Sequence, residues 1–190
     1  MNISIVIPVF NEEESIKELY NQISKALKDQ KTYEIIFIDD GSSDKSNKII
    51  IDLSIEDSRV KLIRFFRNFG KSAALSEGFK YAKGDVIITM DADLQDDPDE
   101  IPNLLKKLDE GYDLVSGWKK KRHDPWTKTF PSKIFNFVTR LLTGVKIHDF
   151  NCGLKAYRSS VVKSIEIFGG RHRYIPALAG QLGFTVSEIV

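Results

Sequence analysis

Residues 85–98 read D-V-I-I-T-M-D-A-D-L-Q-D-D-P, an apolar run followed directly by a cluster of carboxylates. The apolar, β-branched part predicts a buried strand from Asp85 to Met90. Asp91 and Asp93 follow it two residues apart, so in extended backbone both side chains leave the same face. Carboxylates held this close repel each other unless a cation lies between them. The stretch therefore predicts a strand that carries a charged site at its carboxyl end.

Similar apolar runs recur along the chain, each bounded by turn residues and separated from the next by a helix-length segment. They lie at Ile3 to Val9, Tyr33 to Ile38, Val60 to Phe66, Tyr112 to Val115, Leu154 to Tyr157 and Phe184 to Val190. Strands that alternate with helices predict an α/β fold, a sandwich with a mostly parallel central sheet. Ligands of such a sheet gather beyond the carboxyl ends of its strands, where Asp91 and Asp93 stand.

The spacing of apolar residues predicts two amphipathic helices. Their stripes consist of Ile16, Leu19, Tyr20, Ile23 and Leu27 in the first, and Ile101, Leu104, Leu105 and Leu108 in the second. Asp97 as N-cap, Pro98 at the first helical position and Glu100 form a predicted capping box before the second helix. Asp97 and Glu100 thus have a structural role as caps of the second helix. Two further helices are expected near Ser159 to Ile165 and Ile175 to Leu182.

The composition indicates one compact domain over residues 1–190, since 42% of the residues are hydrophobic. Twenty-eight basic and 27 acidic residues leave a net charge of +1, so nothing overall favours a nucleic-acid partner. Cys152 is the only cysteine, which excludes an internal disulfide and suits a reducing compartment. The N-terminal apolar run is too short to span a bilayer, which takes about 20 residues. A cytoplasmic location is therefore expected.

Each polar cluster at a strand end has a functional and a structural interpretation. Asp91 and Asp93 could bind a hard divalent cation that carries a phosphate-bearing ligand, which would remove the repulsion between them. The alternative is that they lie in a solvated acidic turn. Asp40 could bind a ribose or a base, but the residues after it could simply cap a helix and form a turn. Asn11 could likewise be an N-cap. Lys71, at the start of the helix after the third strand, could bind an anion or face water.

Four motifs together resemble the inverting glycosyltransferases of family 2, which have a GT-A fold. They are PVFNEEE (residues 8–14), DDGSSD (39–44), MDADLQDDP (90–98) and HDFNCGLKAYR (148–158). More narrowly, the chain resembles the branch of dolichyl-phosphate mannose synthase and bacterial polyprenyl-phosphate glycosyltransferases, from residue 3 to its end. The resemblance implies a Rossmann-like α/β/α sandwich. It also implies sugar transfer from a nucleoside diphosphate, with UDP favoured, to a polyprenyl (undecaprenyl or dolichyl) phosphate.

The resemblance also implies roles for individual residues. The nucleotide would be held by Pro8, Phe10, Glu12, Ile38 and Asp40. The pair Asp91 and Asp93, with Ala92 between them, would bind Mg²⁺ or Mn²⁺ on the diphosphate with help from Gln95. Lys119 would lie near the diphosphate, although relatives usually carry an arginine at this position, and lysine lacks the bidentate fork. Lys71 could contact the same diphosphate because it stands at a helix N-terminus. Asp149 would act as general base, or would only bond its own loop backbone.

A cationic and aromatic stretch predicts contact with a membrane surface through residues 119–142. It consists of Lys119 to Arg122, Trp126 and Phe130, followed by a helix whose apolar side carries Ile134, Phe137, Val138, Leu141 and Leu142. The alternative is that this helix packs on the core. Arg171 to Tyr174 matches a basic motif expected near the acceptor phosphate. By resemblance, the chain should continue into basic and membrane segments and associate with the cytoplasmic face of the membrane.

Two other functions fit parts of the sequence. One is a soluble transferase of the same family that acts on a polysaccharide or another hydroxyl acceptor. The other is a non-catalytic module of the receiver type with Asp39 and Asp40 as its acidic pocket. The second function would leave Asp91, Asp93 and the 148–158 motif unused. The sequence indicates neither the sugar nor the oligomeric state.

Overall fold

The computed structural model describes residues 1–118, 136, 139–141 and 143–190. Within these residues, seven strands form one sheet: β1 (Ile3–Val9), β2 (Tyr33–Asp39), β3 (Val60–Arg64), β4 (Val86–Thr89), β5 (Leu114–Gly117), β6 (Lys155–Arg158) and β7 (Val186–Ile189). Their order across the sheet is β3-β2-β1-β4-β6-β5-β7. Strand β6 runs antiparallel to β4 and β5, and the remaining pairs are parallel. The predicted mostly parallel α/β sheet is confirmed.

Helices cover both faces of the sheet. They are α1 (Ile16–Ala26), α2 (Ser46–Glu56), α3 (Lys71–Tyr81), α4 (Ile101–Asp109), α5 (Ser159–Ser164) and α6 (Ile175–Gln181). Apolar residues of α1, α2 and α4 join one core cluster, and those of α3, α5 and α6 join the other. Along β1, Ile5 belongs to the first cluster and Val6 to the second. Burial on both faces explains why these strands read as continuous apolar runs rather than as alternating ones.

Element boundaries differ from the predicted ones by one or two residues. β3 ends at Arg64 instead of Phe66, because the chain then turns so that two amides of the next loop can reach Asp40. Asp97 is a cap, but of a 3-10 turn over Pro98–Glu100, where its side chain accepts from the Asp99 amide at 2.9 Å. The capping box is wrong in its second half, since the Glu100 carboxylate accepts from the Asn103 side chain.

Strand β6 brings a distant segment to the ligand edge of the sheet. Its antiparallel register pairs Lys155, at its start, with Thr89, at the end of β4. The loop before β6 therefore lies beside the residues that follow β4. This insertion of β6 between β4 and β5 places the 148–154 segment next to Asp91.

Much of the predicted membrane-facing stretch lies outside the described residues. That is so for Lys119 to Arg122, Trp126, Phe130, Ile134, Phe137, Val138 and Leu142. Leu141 is described, and it is helical and exposed. Within the described part of the chain, the helices are too short or too polar to pass through a bilayer.

The contact of α3 with the sheet gives a test of the fold. A methyl group added at Gly78 would stand 2.3 Å from Val6 Cγ1 and 2.9 Å from Ile38 Cδ1. We expect Gly78→Ala to lower the free energy of unfolding by about 1–3 kcal/mol through overpacking. This loss exceeds the gain of about 0.5–1 kcal/mol that alanine brings to a helix interior.

Chemical denaturation measures the change. Gly170→Ala is the matched control, because Gly170 has a φ of −86° and open space around the added methyl group. Equal stability of Gly78→Ala and the wild type would contradict the packing of α3 on β1.

Candidate functional site

A cavity of about 320 Å³ opens at the carboxyl ends of β1, β2 and β4, and we name it the first cavity. It gathers eight of the residues that the sequence singled out: Pro8, Phe10, Glu12, Asp40, Lys71, Asp91, Ala92 and Asp93. The three strands are neighbours in the sheet, so their ends form one continuous rim. The structure thus brings the first, second and third motifs together.

The Asp40 carboxylate organises the loop between β3 and α3. It is buried, and its two oxygens accept from the backbone amides of Phe69 at 2.7 Å and Gly70 at 2.9 Å. Gly70 has a φ of +90°, a left-handed conformation that glycine adopts without strain. These bonds position Lys71 at the start of α3, where it lines the first cavity.

Asn11 links the loops after β1 and β2 instead of capping α1. Its side-chain oxygen accepts from the backbone amide of Ser43 at 2.9 Å, and its backbone amide donates to Ser42 Oγ at 3.0 Å. Its φ of +56° lies in the left-handed region, which asparagine tolerates better than most residues. The residue before α1 is Ser15, so the N-cap interpretation of Asn11 is wrong.

The first cavity is rich in carboxylates. Burial raises the pKa of Glu12 above its ordinary value, although a hydrogen bond from Ser15 opposes the rise. The charges of Asp93 and Asp91 raise it further. This mutual repulsion is what a cation bound between the carboxylates would relieve.

Asp91 and Asp93 have different partners in the described structure. The Lys71 ammonium forms an ion pair with Asp91 Oδ1. The exposed Asp93 accepts from the Gln95 amide at 3.1 Å. Two neighbouring carboxylates are hard oxygen donors of the kind that Mg²⁺ and Mn²⁺ take, and Mg²⁺ commonly completes its shell with water and substrate phosphates.

Among the described residues no three acidic, histidine or cysteine side chains are grouped to hold a metal ion by themselves. The donor set fits a cation whose remaining ligands come from a bound diphosphate. Asp91 and Asp93 would then be its protein ligands, with Lys71 displaced from Asp91 or shared with the diphosphate.

Two predicted residues lie elsewhere. Gln95 lines a separate cavity between α1 and the loop over residues 94–99, so the structure links it to Asp93 only through its backbone amide. Ile38 is fully buried in the core cluster of α3, and it is absent from the described lining of the first cavity. Lys119 lies outside the described residues. The ligand contacts proposed for these three residues stay predictions.

A second cavity, also about 320 Å³, adjoins the first, and Lys71 and Asp91 line both. Its cationic and titratable lining includes Lys71, Lys155, His172 and Arg173. The side chain of Lys155 is buried and donates to the Cys152 carbonyl, and burial lowers its pKa. Burial also raises the pKa of the Cys152 thiol to about 11, which keeps the thiol neutral. The second cavity therefore suits an anion.

Lys155 is the residue of this site that the sequence reasoning missed. The available signal was a lysine within an otherwise apolar strand, next to Leu154 and Ala156. Its antiparallel pairing with Thr89 is a non-local contact that places the buried ammonium at the ligand edge. Gly153 lies two residues earlier, and a methyl group there would stand 2.6 Å from Asp91 Cγ. A side chain at Gly153 would therefore displace the carboxylates of Asp91 and Asp96 from these positions.

Asp149 is buried, and its Oδ1 accepts from the Asn151 amide at 3.0 Å. The described lining of the second cavity includes Phe150 and Asn151 but not Asp149. The preceding His148 stacks on Trp118 with ring centroids 4.1 Å apart and pairs with Glu188 on β7. The motif loop is thus held at both ends, and Asp149 has the backbone bond that the structural alternative predicted.

Known proteins are similar to this chain in sequence. The family described as glycosyl transferase family 2 matches residues 4–166. Undecaprenyl-phosphate 4-deoxy-4-formamido-L-arabinose transferase of Shewanella sediminis (strain HAW-EB3) is 44% identical over 189 residues, covering 98% of the chain and 57% of that protein. The protein of the same name from Edwardsiella ictaluri (strain 93-146) is 40% identical, with 98% and 58% covered. The chain spans a little under three fifths of the length of these relatives.

Solved structures show the same fold. Glucosyl-3-phosphoglycerate synthase of Mycobacterium tuberculosis with phosphoglyceric acid superposes with a TM-score of 0.77 at 24% identity, over 98% of the chain and 69% of that protein. Mannosyltransferase PcManGT of Pyrobaculum calidifontis, in complex with GDP-Man and Mn²⁺, gives 0.75 at 19% identity, over 99% and 54%. At these identities the likeness concerns the fold alone, and it confirms the predicted GT-A architecture.

His172 provides a pH test of the second cavity. Its Nδ1 lies 2.8 Å from Ser72 Oγ, and burial together with the charges of Lys71 and Arg173 lowers its pKa to about 4. Between pH 6.5 and about 4, His172 binds a proton in the unfolded chain but not in the folded one. The contribution of His172 to the free energy of unfolding therefore falls as the pH falls through this window.

We expect His172→Gln to flatten that part of the profile of unfolding free energy against pH. Denaturation series between pH 4 and 7 would measure it, and NMR titration of the wild type should place the His172 midpoint near 4. Parallel profiles for the variant and the wild type would contradict a half-buried, neutral His172.

Proposed function

Because the chain belongs to glycosyl transferase family 2, we propose that it moves a sugar, with inversion, from a nucleoside diphosphate to a polyprenyl phosphate. The relatives named above are transferases that use undecaprenyl phosphate. The observation that carries the proposal is the pair of adjoining cavities with Lys71 and Asp91 in their common wall. The family match leaves the receiver-type alternative without support.

The first cavity suits the donor. Its acidic rim at Asp91 and Asp93 matches a divalent cation on a diphosphate, and Phe10 offers an exposed ring beside Pro8 for a base. We propose Mg²⁺ or Mn²⁺ as the cofactor and a UDP-sugar as the favoured donor. A structure of the mycobacterial synthase, at 23% identity, contains Mn²⁺ and UDP-glucose.

The second cavity suits the acceptor phosphate. Lys155, Arg173 and Lys71 supply positive charge around it, and desolvation within a cavity strengthens their attraction for an anion. A lipid phosphate bound there would be separated from the donor diphosphate by Lys71 and Asp91. Inversion requires the nucleophile and the leaving group on opposite sides of the anomeric carbon, and binding in two adjoining cavities is compatible with that requirement.

The reaction is then an in-line displacement. An acceptor phosphate oxygen forms the new bond to the anomeric carbon while the bond from that carbon to the donor diphosphate breaks, and the electron pair stays on the diphosphate. When bound, the divalent cation supplies Lewis-acid stabilisation of the leaving charge. The Lys71 ammonium adds charge stabilisation at the same wall.

Such an acceptor has little need of Asp149 as a general base. The second pKa of a phosphomonoester is about 6, so the nucleophile is mostly ionised at neutral pH. The hydrogen bond from Asn151 to Asp149 instead orders the loop that lines the second cavity. We propose that Asp149 chiefly positions the acceptor loop.

Transfer of label tests the activity. Labelled nucleotide sugars are incubated with the protein, Mn²⁺ and a polyprenyl phosphate, and label is counted in the organic phase. Label confined to a sugar acceptor in water would favour the soluble alternative and contradict a lipid acceptor.

Asp93→Asn tests the metal site. We expect at least about a tenfold loss in Mn²⁺-dependent UDP affinity, since one charged ligand of a hard cation is removed. Calorimetric titration with UDP and Mn²⁺ measures the loss. Asp99→Asn is the matched control, because Asp99 is an exposed carboxylate on the same loop that lines a different cavity. Unchanged affinity of Asp93→Asn would refute the proposed metal site.

Asp149→Asn tests the positioning role. An asparagine oxygen can still accept from the Asn151 amide, so the loop should keep its shape. We expect the rate to stay within about tenfold of the wild type above pH 7, whereas loss of a general base costs about 10²–10⁴-fold. Rates at several pH values measure it. A loss of about 10²–10⁴-fold near pH 7 that is recovered at high pH would indicate that Asp149 is the base, and complete loss at every pH would contradict the proposed positioning role.

A further inference from the structure

An apolar surface stands beside the second cavity, on the outer side of α3. Three phenylalanines there are exposed: Phe66 by 85%, Phe69 by 45% and Phe168 by 56%. With Phe65 and Ile167 they line a shallow concavity of about 580 Å³. We name these five residues the aromatic shelf. Exposed apolar patches of this kind mark interaction surfaces, because leaving such side chains in water is unfavourable.

The shelf is ordered by its own ring contacts. The Phe69 ring meets Phe66 edge-on with centroids 5.1 Å apart and Phe65 with centroids 5.6 Å apart. The Arg67 guanidinium lies 4.7 Å from the centre of the Phe69 ring, and Arg171 lies 4.0 Å from that of Phe168. The rings are therefore presented as a fixed surface with cations against them.

The charge at the shelf is positive. Arg64 lines the concavity with its side chain 64% exposed, although its Nε lies 4.0 Å from the buried Asp39 carboxylate, and Arg67 and Arg171 lie against the rings. Glu77 is the acidic residue of the described lining, and it pairs with Lys80. Exposed aromatic rings with arginines around them match the boundary between anionic headgroups and acyl chains.

Helix α3 contributes residues both to the shelf concavity and to the second cavity. Lys71 and Leu75 of α3 line the second cavity, whereas Ala73 and Ser76 of the same helix line the concavity of the shelf. The 3-10 turn Arg171–Tyr174 begins three residues after Phe168 and is linked to α3 by the hydrogen bond between His172 and Ser72. A molecule bound on the shelf would therefore contact the same helix that lines the second cavity, at different residues of it.

We propose that the aromatic shelf docks on a bilayer containing anionic phospholipid. Phe66 and Phe168 would enter the headgroup region, and Arg64, Arg67 and Arg171 would contact lipid phosphates. A second copy of the chain is a poorer occupant, since a two-fold contact through this surface would bring the arginines of both copies together. The inference deepens the proposed function, because the acceptor phosphate would then reach the second cavity from the docked membrane.

Vesicle flotation tests the docking without any nucleotide sugar. The protein is mixed with phosphatidylcholine vesicles with and without phosphatidylglycerol. We expect the wild type to float with the anionic vesicles, and Phe66→Ser combined with Phe168→Ser to bind about tenfold more weakly, since two exposed rings lose their burial. Ile55→Ser is the matched control, because Ile55 is 78% exposed on α2 and the change should leave flotation unaltered.

The arginines have their own expected signature. Arg67→Gln combined with Arg171→Gln should remove the preference for phosphatidylglycerol and the weakening of binding by salt. Circular dichroism of each variant confirms folding before flotation. If the wild type does not float, or if the double phenylalanine variant floats as the wild type does, the proposal is overturned. A change in the particle mass of that variant in solution would also overturn it in favour of self-association.

The two proposals fail separately. With a short, water-soluble prenyl phosphate the double phenylalanine variant should transfer label as the wild type does, and it should lose transfer only to acceptor embedded in vesicles. Equal transfer by the variant and the wild type to embedded acceptor would contradict the role of the shelf. Absence of label transfer by the wild type to either acceptor would count against the proposed function, whereas flotation would still decide the docking.

Discussion

Asp91 lies in the wall between two cavities, and the site depends on how this carboxylate is held. The Lys71 ammonium pairs with it on one side, and the backbone at Gly153 approaches it on the other. Its amide also donates to Asp96 Oδ2 at 3.1 Å. A carboxylate fixed in this way separates an acid-rich cavity from a cation-rich one. Opposite charges on the two sides would allow two anionic ligands to bind close together with different counter-ions.

Helix α3 carries three parts of this arrangement at once. Its first residue, Lys71, faces both cavities, and Ser72 holds the turn that contains His172. Gly78 lets the helix lie against β1 without the spacing that a side chain would impose. Because Asp40 fixes the loop that begins the helix, a bond at the end of β2 determines where Lys71 stands. The helix therefore couples the order of the sheet to the charges at the site.

Burial decides which groups at the site are charged. The thiol of Cys152 stays neutral, and burial also opposes the charge of Lys155. An anion bound in the second cavity would stabilise the charged form of the Lys155 ammonium by direct pairing. A lysine on the surface would be stabilised less by the same pairing, because water already solvates its charge. The lining of the second cavity therefore favours a negatively charged ligand.

Periodicity in the sequence determined the local elements. The apolar runs predicted β1, β2 and β4, and the common edge of parallel strand ends predicted that Asp40, Asp91 and Asp93 lie on one rim. Burial on both faces of the sheet makes such runs long and unbroken, so they are easy to recognise. The acidic rim of the first cavity was predictable for this reason.

The tertiary structure alone decided the features that depend on contacts distant in sequence. The antiparallel insertion of β6 buries Lys155 beside Asp91, and the turn after Asp93 directs Gln95 to another cavity. The aromatic shelf joins residues 65–69 to residues 167–168, about a hundred positions later in the chain. Periodicity records which face of an element is buried, but strand register and the meeting of remote loops follow from packing over the whole core.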